Sequence, residues 1–130
     1  MTAARGGARV LVVEDDPDAA SVLADYLARA GFTVEVAHDL DEALAVANAR
    51  RPDVLITDIR LRGRGDGLDL ARALADTDRP PVVFAVSGYA TREDRERALA
   101  AGIADVFAKP FDPEALVARL RAGLRERSSG

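Results

Sequence analysis

Short runs of almost wholly apolar residues alternate along this chain with segments whose apolar residues recur at helical spacing, and that alternation leaves few folds open. Val10-Leu11-Val12-Val13 and Val54-Leu55-Ile56-Thr57 carry no polar-apolar alternation, so they read as strands covered on both faces. The pattern predicts strands over residues 9–13, 33–37, 54–58, 81–86 and 105–108, and helices over residues 18–30, 39–50, 68–74, 92–101 and 112–124. Five strand-helix units in strict order imply a doubly wound α/β sandwich around a parallel sheet.

Local punctuation agrees. Gly31 and Gly102 fall where a helix C-terminus favours a left-handed residue, while Asp18, Asp39 and Asp112 fall at N-cap positions and Pro113 suits a first helical turn. Leu23, Tyr26, Leu27 and Ala30, and likewise Leu116, Leu120 and Leu124, give their helices an apolar stripe to lay on the sheet. A chain of 130 residues buries about two thirds of its unfolded surface as one domain. Residues 9–125 are expected to form it, with residues 1–8 and 126–130 as flexible ends.

Composition narrows the function. The absence of cysteine excludes a disulfide framework and thiolate metal sites, and no apolar run is long enough for a membrane span or shaped like a secretory signal, so a cytoplasmic location is expected. A net charge of -4 argues against direct nucleic-acid binding. Arg119, Arg121, Arg125 and Arg127 read as the solvated face and end of the last helix.

The chemistry gathers at strand ends. Glu14-Asp15-Asp16 closes the first strand and Asp58 the third, and in an open parallel sheet ligands bind in the crevice beyond the carboxyl ends of the strands. Glu14, Asp15 and Asp58 crowded there would repel one another unless a cation shared the site. With oxygen ligands only, a hard divalent ion is implied, and Mg²⁺ fits best because it keeps waters and recruits phosphate oxygens. Ser87, ending the fourth strand, and Lys109, following the fifth, add a hydroxyl and an ammonium. Together these are the parts needed to transfer a phosphoryl group onto Asp58 as an acyl phosphate.

In motif order, spacing and element count, residues 9–125 resemble the receiver domain of two-component response regulators. The resemblance implies a five-stranded sheet in the order 2-1-3-4-5 with five helices, a flavodoxin-like three-layer sandwich. It also implies that Asp58 takes phosphate from a histidine kinase or a histidine phosphotransfer protein. Asp15, Asp58 and the backbone carbonyl of Arg60 would ligate Mg²⁺, Glu14 would act mostly through a metal-bound water, and Ser87 and Lys109 would contact the phosphoryl oxygens. Such receivers catalyse only their own phosphorylation and dephosphorylation, and signal to a downstream protein through the surface of the fourth helix, fifth strand and fifth helix. The Lys109-Pro110 bond is cis in that family.

The chain also departs from that pattern. Three residues before Lys109 the family carries an aromatic ring that swings inward on activation, where this chain has Val106; Phe107, on the opposite face of the strand, is expected in the core. Tyr89 is the candidate for part of the readout, and Arg60 and Tyr89 together for shielding the acyl phosphate, which would make self-dephosphorylation slow. The segment 61–67 lacks the usual proline, is one residue longer and is rich in glycine, so it should be mobile. Asp105 and Arg119 match positions that pair across a dimer in one subfamily, which leaves a monomer or a phosphorylation-dependent homodimer open. His38 reads as a solvated loop residue away from the strand-end cluster. Two other readings compete: a phosphorylation-independent scaffold, and an Asp-nucleophile phosphohydrolase of the haloacid-dehalogenase type. Arg60 weighs against the latter, which needs an acid there.

Overall fold

A computed structural model describes residues 7–61, 65–88 and 91–129. Five strands, β1 (Arg9–Val13), β2 (Thr33–Ala37), β3 (Val54–Asp58), β4 (Val82–Ser87) and β5 (Asp105–Ala108), form one parallel sheet in the order β2-β1-β3-β4-β5. Helices α1 (Pro17–Arg29), α2 (Leu40–Ala49), α3 (Gly67–Ala75), α4 (Arg92–Ala100) and α5 (Pro113–Ser129) alternate with them.

The period-two geometry of the strands divides the core in two. Val10, Val12, Val54, Ile56, Phe84 and Val86 face α1 and α5, where Leu27, Leu116 and Leu120 cover them. Leu11, Val13, Leu55, Val83 and Ala85 face the other way, onto Ala43 and Ala47 of α2, Leu68 and Leu74 of α3, and Ala98 of α4. Burying a side chain such as Leu27 or Leu116 contributes about 1.5–3 kcal/mol. Val106 joins the second cluster, whereas its neighbour Phe107 packs with the first, tilted against Phe84 and Phe111. Opposite orientation of the two is what strand geometry requires.

Several boundaries differ from the sequence reading. Asp16, not Asp18, caps α1: its side chain accepts from the Asp18 amide, and Pro17 takes the first turn where no amide is needed. Asp39 caps α2 as expected, and Gly31 and Gly102 adopt φ of 104° and 88°. Asp66 and Asp69 form a reciprocal capping box at α3. Helix α5 runs on to Ser129, past Leu124 where its apolar periodicity stops and into the tail expected to be flexible. Its arginines are anchors as well as solvated charges. Arg121 donates to the Ala30 carbonyl at 2.9 Å, and Arg127 donates to both the carbonyl and the carboxylate of Asp53, tying the helix to the loops at the amino end of the sheet. Tertiary partners thus extend a helix beyond its own amphipathic signal.

Candidate functional site

Strand register places the acids. Val13 pairs with both Ala37 and Thr57, so Glu14 and Asp58 leave their strands at the same level. Asp58 pairs with Val86, and Ser87 with Ala108, which sets Ser87 and Lys109 one step along the same edge. Backbone hydrogen bonds carry the sheet past its last residues: the Glu14 amide donates to Ala37, Ile59 to Val86 and Lys109 to Ser87.

Glu14, Asp15 and Asp58 offer carboxylate oxygens within 4.8 Å of one another. Lys109 Nζ stands between two of them, 2.7 Å from Glu14 Oε1 and 2.9 Å from Asp58 Oδ2. Glu14 is 6% exposed and its other oxygen accepts from the Asp16 amide. Burial alone would lower the pKa of Lys109, but the hydrogen bonds and charges of Glu14 and Asp58 outweigh it and raise the ammonium above its usual 10.5. Three carboxylates against one ammonium leave the cluster two charges negative, which a hard dication on an all-oxygen donor set would balance. Lys109 therefore supplies one of the three positive charges that balance the carboxylates, compensation that the sequence reading assigned to a metal alone.

Ser87 is buried beside this edge, and the Lys109-Pro110 peptide is cis. Arg60 is largely exposed and turns its guanidinium to Asp94 of α4, at 3.4 and 3.5 Å. Tyr89, and Arg62 to Arg64 of the glycine-rich segment, lie outside the described residues. Arg119 pairs with Asp105 of its own chain at 3.4 Å and lies over the Phe84 ring. His38 sits nearer the site than expected. It is exposed, yet its Nδ1 donates to the Glu14 carbonyl at 3.0 Å, because β2 neighbours β1 and carries the histidine to that strand end.

One contributor escaped the sequence reading. Gly67 opens α3 against the third strand, its amide donating to the Ile59 carbonyl at 2.9 Å. A Cβ at Gly67 would collide with the Asp58 carbonyl and reach within 2.9 Å of Thr57 Oγ1. The signal was present as a glycine at a helix start, but its reason is a contact with another element.

A five-stranded sheet in this order, with acids from β1 and β3 facing a lysine from β5, defines a signalling receiver, and the chain belongs to the response regulator receiver domain family, whose sequence model matches residues 10–121. It is 40% identical over 121 residues to the transcriptional regulatory protein PrrA of Mycobacterium tuberculosis, covering 93% of this chain and 52% of that protein. It is 39% identical over 117 residues to the response regulator MprA of Mycobacterium ulcerans, covering 90% and 50%. The chain thus spans about half the length of these curated relatives. A CheY-like receiver from Methanospirillum hungatei superposes with a TM-score of 0.87 at 26% identity, covering 95% of this chain and 98% of that one. NtrX from Brucella abortus superposes with a TM-score of 0.87 at 32% identity, covering 94% of this chain and 28% of that one. No described helix is long and apolar enough to cross a membrane.

Proposed function

We propose that this receiver accepts a phosphoryl group on Asp58 from a phosphohistidine of a histidine kinase or histidine phosphotransfer protein, in the cytoplasm, and signals through protein contacts. The observation that carries the reading is the Lys109 ammonium bridging Glu14 and Asp58. An Asp58 oxygen attacks phosphorus, the new O–P bond forms as the P–N bond breaks, and the electron pair returns to the imidazole nitrogen. Lys109 holds the Asp58 carboxylate in place and offers a point charge to the incoming phosphoryl oxygens, while Ser87 stands on the neighbouring strand end to donate to them.

Asp15, Asp58 and the Arg60 carbonyl would hold Mg²⁺, with Glu14 reaching it through water. When bound, the ion would neutralise phosphoryl oxygens that the net negative cluster otherwise repels. Beside the acids, an apolar groove of about 520 Å³ lined by Val22, Tyr26, Ile56, Lys109 and Phe111 opens between α1 and the β5–α5 loop. Val22 is 72% exposed there, a surface suited to covering by a protein donor.

The protein is no enzyme in this reading beyond its own phosphorylation and dephosphorylation. It acts as a monomer or as a homodimer formed on phosphorylation, through the face built by α4, β5 and α5. Intact mass after incubation with acetyl phosphate and Mg²⁺ tests it. A Mg²⁺-dependent phosphate adduct absent from Asp58→Asn is expected; no adduct, with Mg²⁺ binding verified, would favour a phosphorylation-independent scaffold.

A further inference from the structure

Helix α4 is weakly anchored by apolar contacts. It buries only Asp94 and Ala98, and one of these is a carboxylate, 2% exposed. Asp94 lies between two cations: Arg60 at 3.4 Å and Arg97 at 3.8 Å. Arg97 reaches on to Asp66 at 3.6 Å. Charges therefore alternate through Arg60, Asp94, Arg97 and Asp66. The outer two flank the segment that follows Asp58, at residue 60 and at the N-cap of α3, and the inner two belong to α4. This clasp joins the helix to the loop of the acceptor aspartate.

Its first link is built to let go. Arg60 is 71% exposed and bonds Asp94 through a single nitrogen at 3.4–3.5 Å, the long end of hydrogen-bonding range. A phosphoryl group on Asp58, two residues away, would carry a charge of roughly -1.5 to -2 in place of the carboxylate's single charge, and oxygens that arginine binds better than a distant carboxylate. Were Arg60 to turn to it, Asp94 would keep, among the described residues, only Arg97 as a cation, and a buried carboxylate stripped of a cation is costly unless it reaches water. With Ala98 as its one other buried residue, α4 can shift to provide that water.

We propose that phosphorylation of Asp58 draws Arg60 off Asp94 and so releases α4, a charge-exchange switch in a receiver whose Val106 supplies no aromatic ring. The proposal rests on the function proposed above. Val106 is packed in the core at 7% exposure and has no polar tip to follow a moving hydroxyl, so the aromatic route is closed. The charge route lies on the face of the sheet opposite Val106's strand neighbour Phe107, where Ala98 is the one apolar side chain that α4 buries in the core.

Amide hydrogen exchange of residues 92–100 in the full chain, read by mass spectrometry with adduct stoichiometry measured on the same samples, tests this. In the parent, phosphorylation by acetyl phosphate and Mg²⁺ should speed exchange of α4 roughly tenfold while α2 stays unchanged. Arg60→Ala, which strips Asp94 of that cation, should exchange at the faster rate without phosphate and gain less than about twofold on phosphorylation; Asp94→Asn, which leaves no buried charge to expose, should also gain less than about twofold. A fully phosphorylated parent with unchanged α4 exchange, or an Asp94→Asn variant that responds to phosphate as the parent does, overturns the switch. If the parent takes no phosphate, the proposed function fails and the switch with it, whereas the clasp is judged separately by comparing unphosphorylated parent and Arg60→Ala.

Discussion

The Lys109 ammonium lies 2.9 Å from Asp58 Oδ2, so the loop after β5 and the end of β3 are joined by a charge-assisted hydrogen bond inside the candidate site. Glu14, bound at 2.7 Å by the same nitrogen, makes the lysine the centre of a three-strand junction.

Removing that centre should leave Glu14 and Asp58 with unbalanced charge. We expect Lys109→Met to lower unfolding free energy by about 1–2 kcal/mol in chelator, and Mg²⁺ to restore part of it by replacing the lost cation. Urea denaturation with and without the metal measures both effects.

The same contacts fix a pH dependence. The folded pKa of Lys109 is raised above 10.5, so its ion pairs contribute fully below that value and are lost as pH rises through the folded pKa. The stability gap between parent and Lys109→Met should hold constant from about pH 8 to pH 10 and shrink above it. Denaturation midpoints across the alkaline range would reveal the opposite sign directly.

Mg²⁺ should stabilise the parent by mass action, by about 2.7 kcal/mol at a hundredfold excess over its dissociation constant. Asp15→Asn, which removes one of three carboxylates, should need much higher metal for the same rise in Tm. Equal responses would remove Asp15 from the proposed metal site.

Gly67→Ala should cost about 2–3 kcal/mol, because the new methyl meets the Asp58 carbonyl and Thr57 rather than solvent. Metal affinity should fall in parallel, since the chain at Asp58 must move to make room. A variant as stable as the parent would show that the start of α3 yields freely.

Arg127→Ala should cost about 0.5–1.5 kcal/mol through loss of the bonds to Asp53, although it lies beyond the amphipathic stretch of its helix. Thermal unfolding is sufficient to decide this.

The elements were legible because they depend on short-range pattern. Runs such as Val10-Leu11-Val12-Val13 admit few conformations, and their end points deliver Asp58 and Lys109 to one edge once the sheet is parallel. Asp18 was misplaced as a cap because Asp16 and Asp18 are equally suited by residue type, although Pro17, suited to a first helical turn, already marked Asp16 as the cap. The end of α5 was misjudged because Arg127 is held by Asp53, a residue remote in sequence.

By itself, the sequence determined the five strand-helix units, the two-faced core and the identity of the acids, hydroxyl and lysine, since periodicity and residue chemistry are local properties. Only the tertiary structure decided that Lys109 bridges Glu14 and Asp58, that His38 bonds the Glu14 carbonyl, that Gly67 must lack a side chain, and that Arg60 faces Asp94. Each of these is a contact between elements, fixed by strand order and register, and no local pattern encodes which side chains those relations bring within reach.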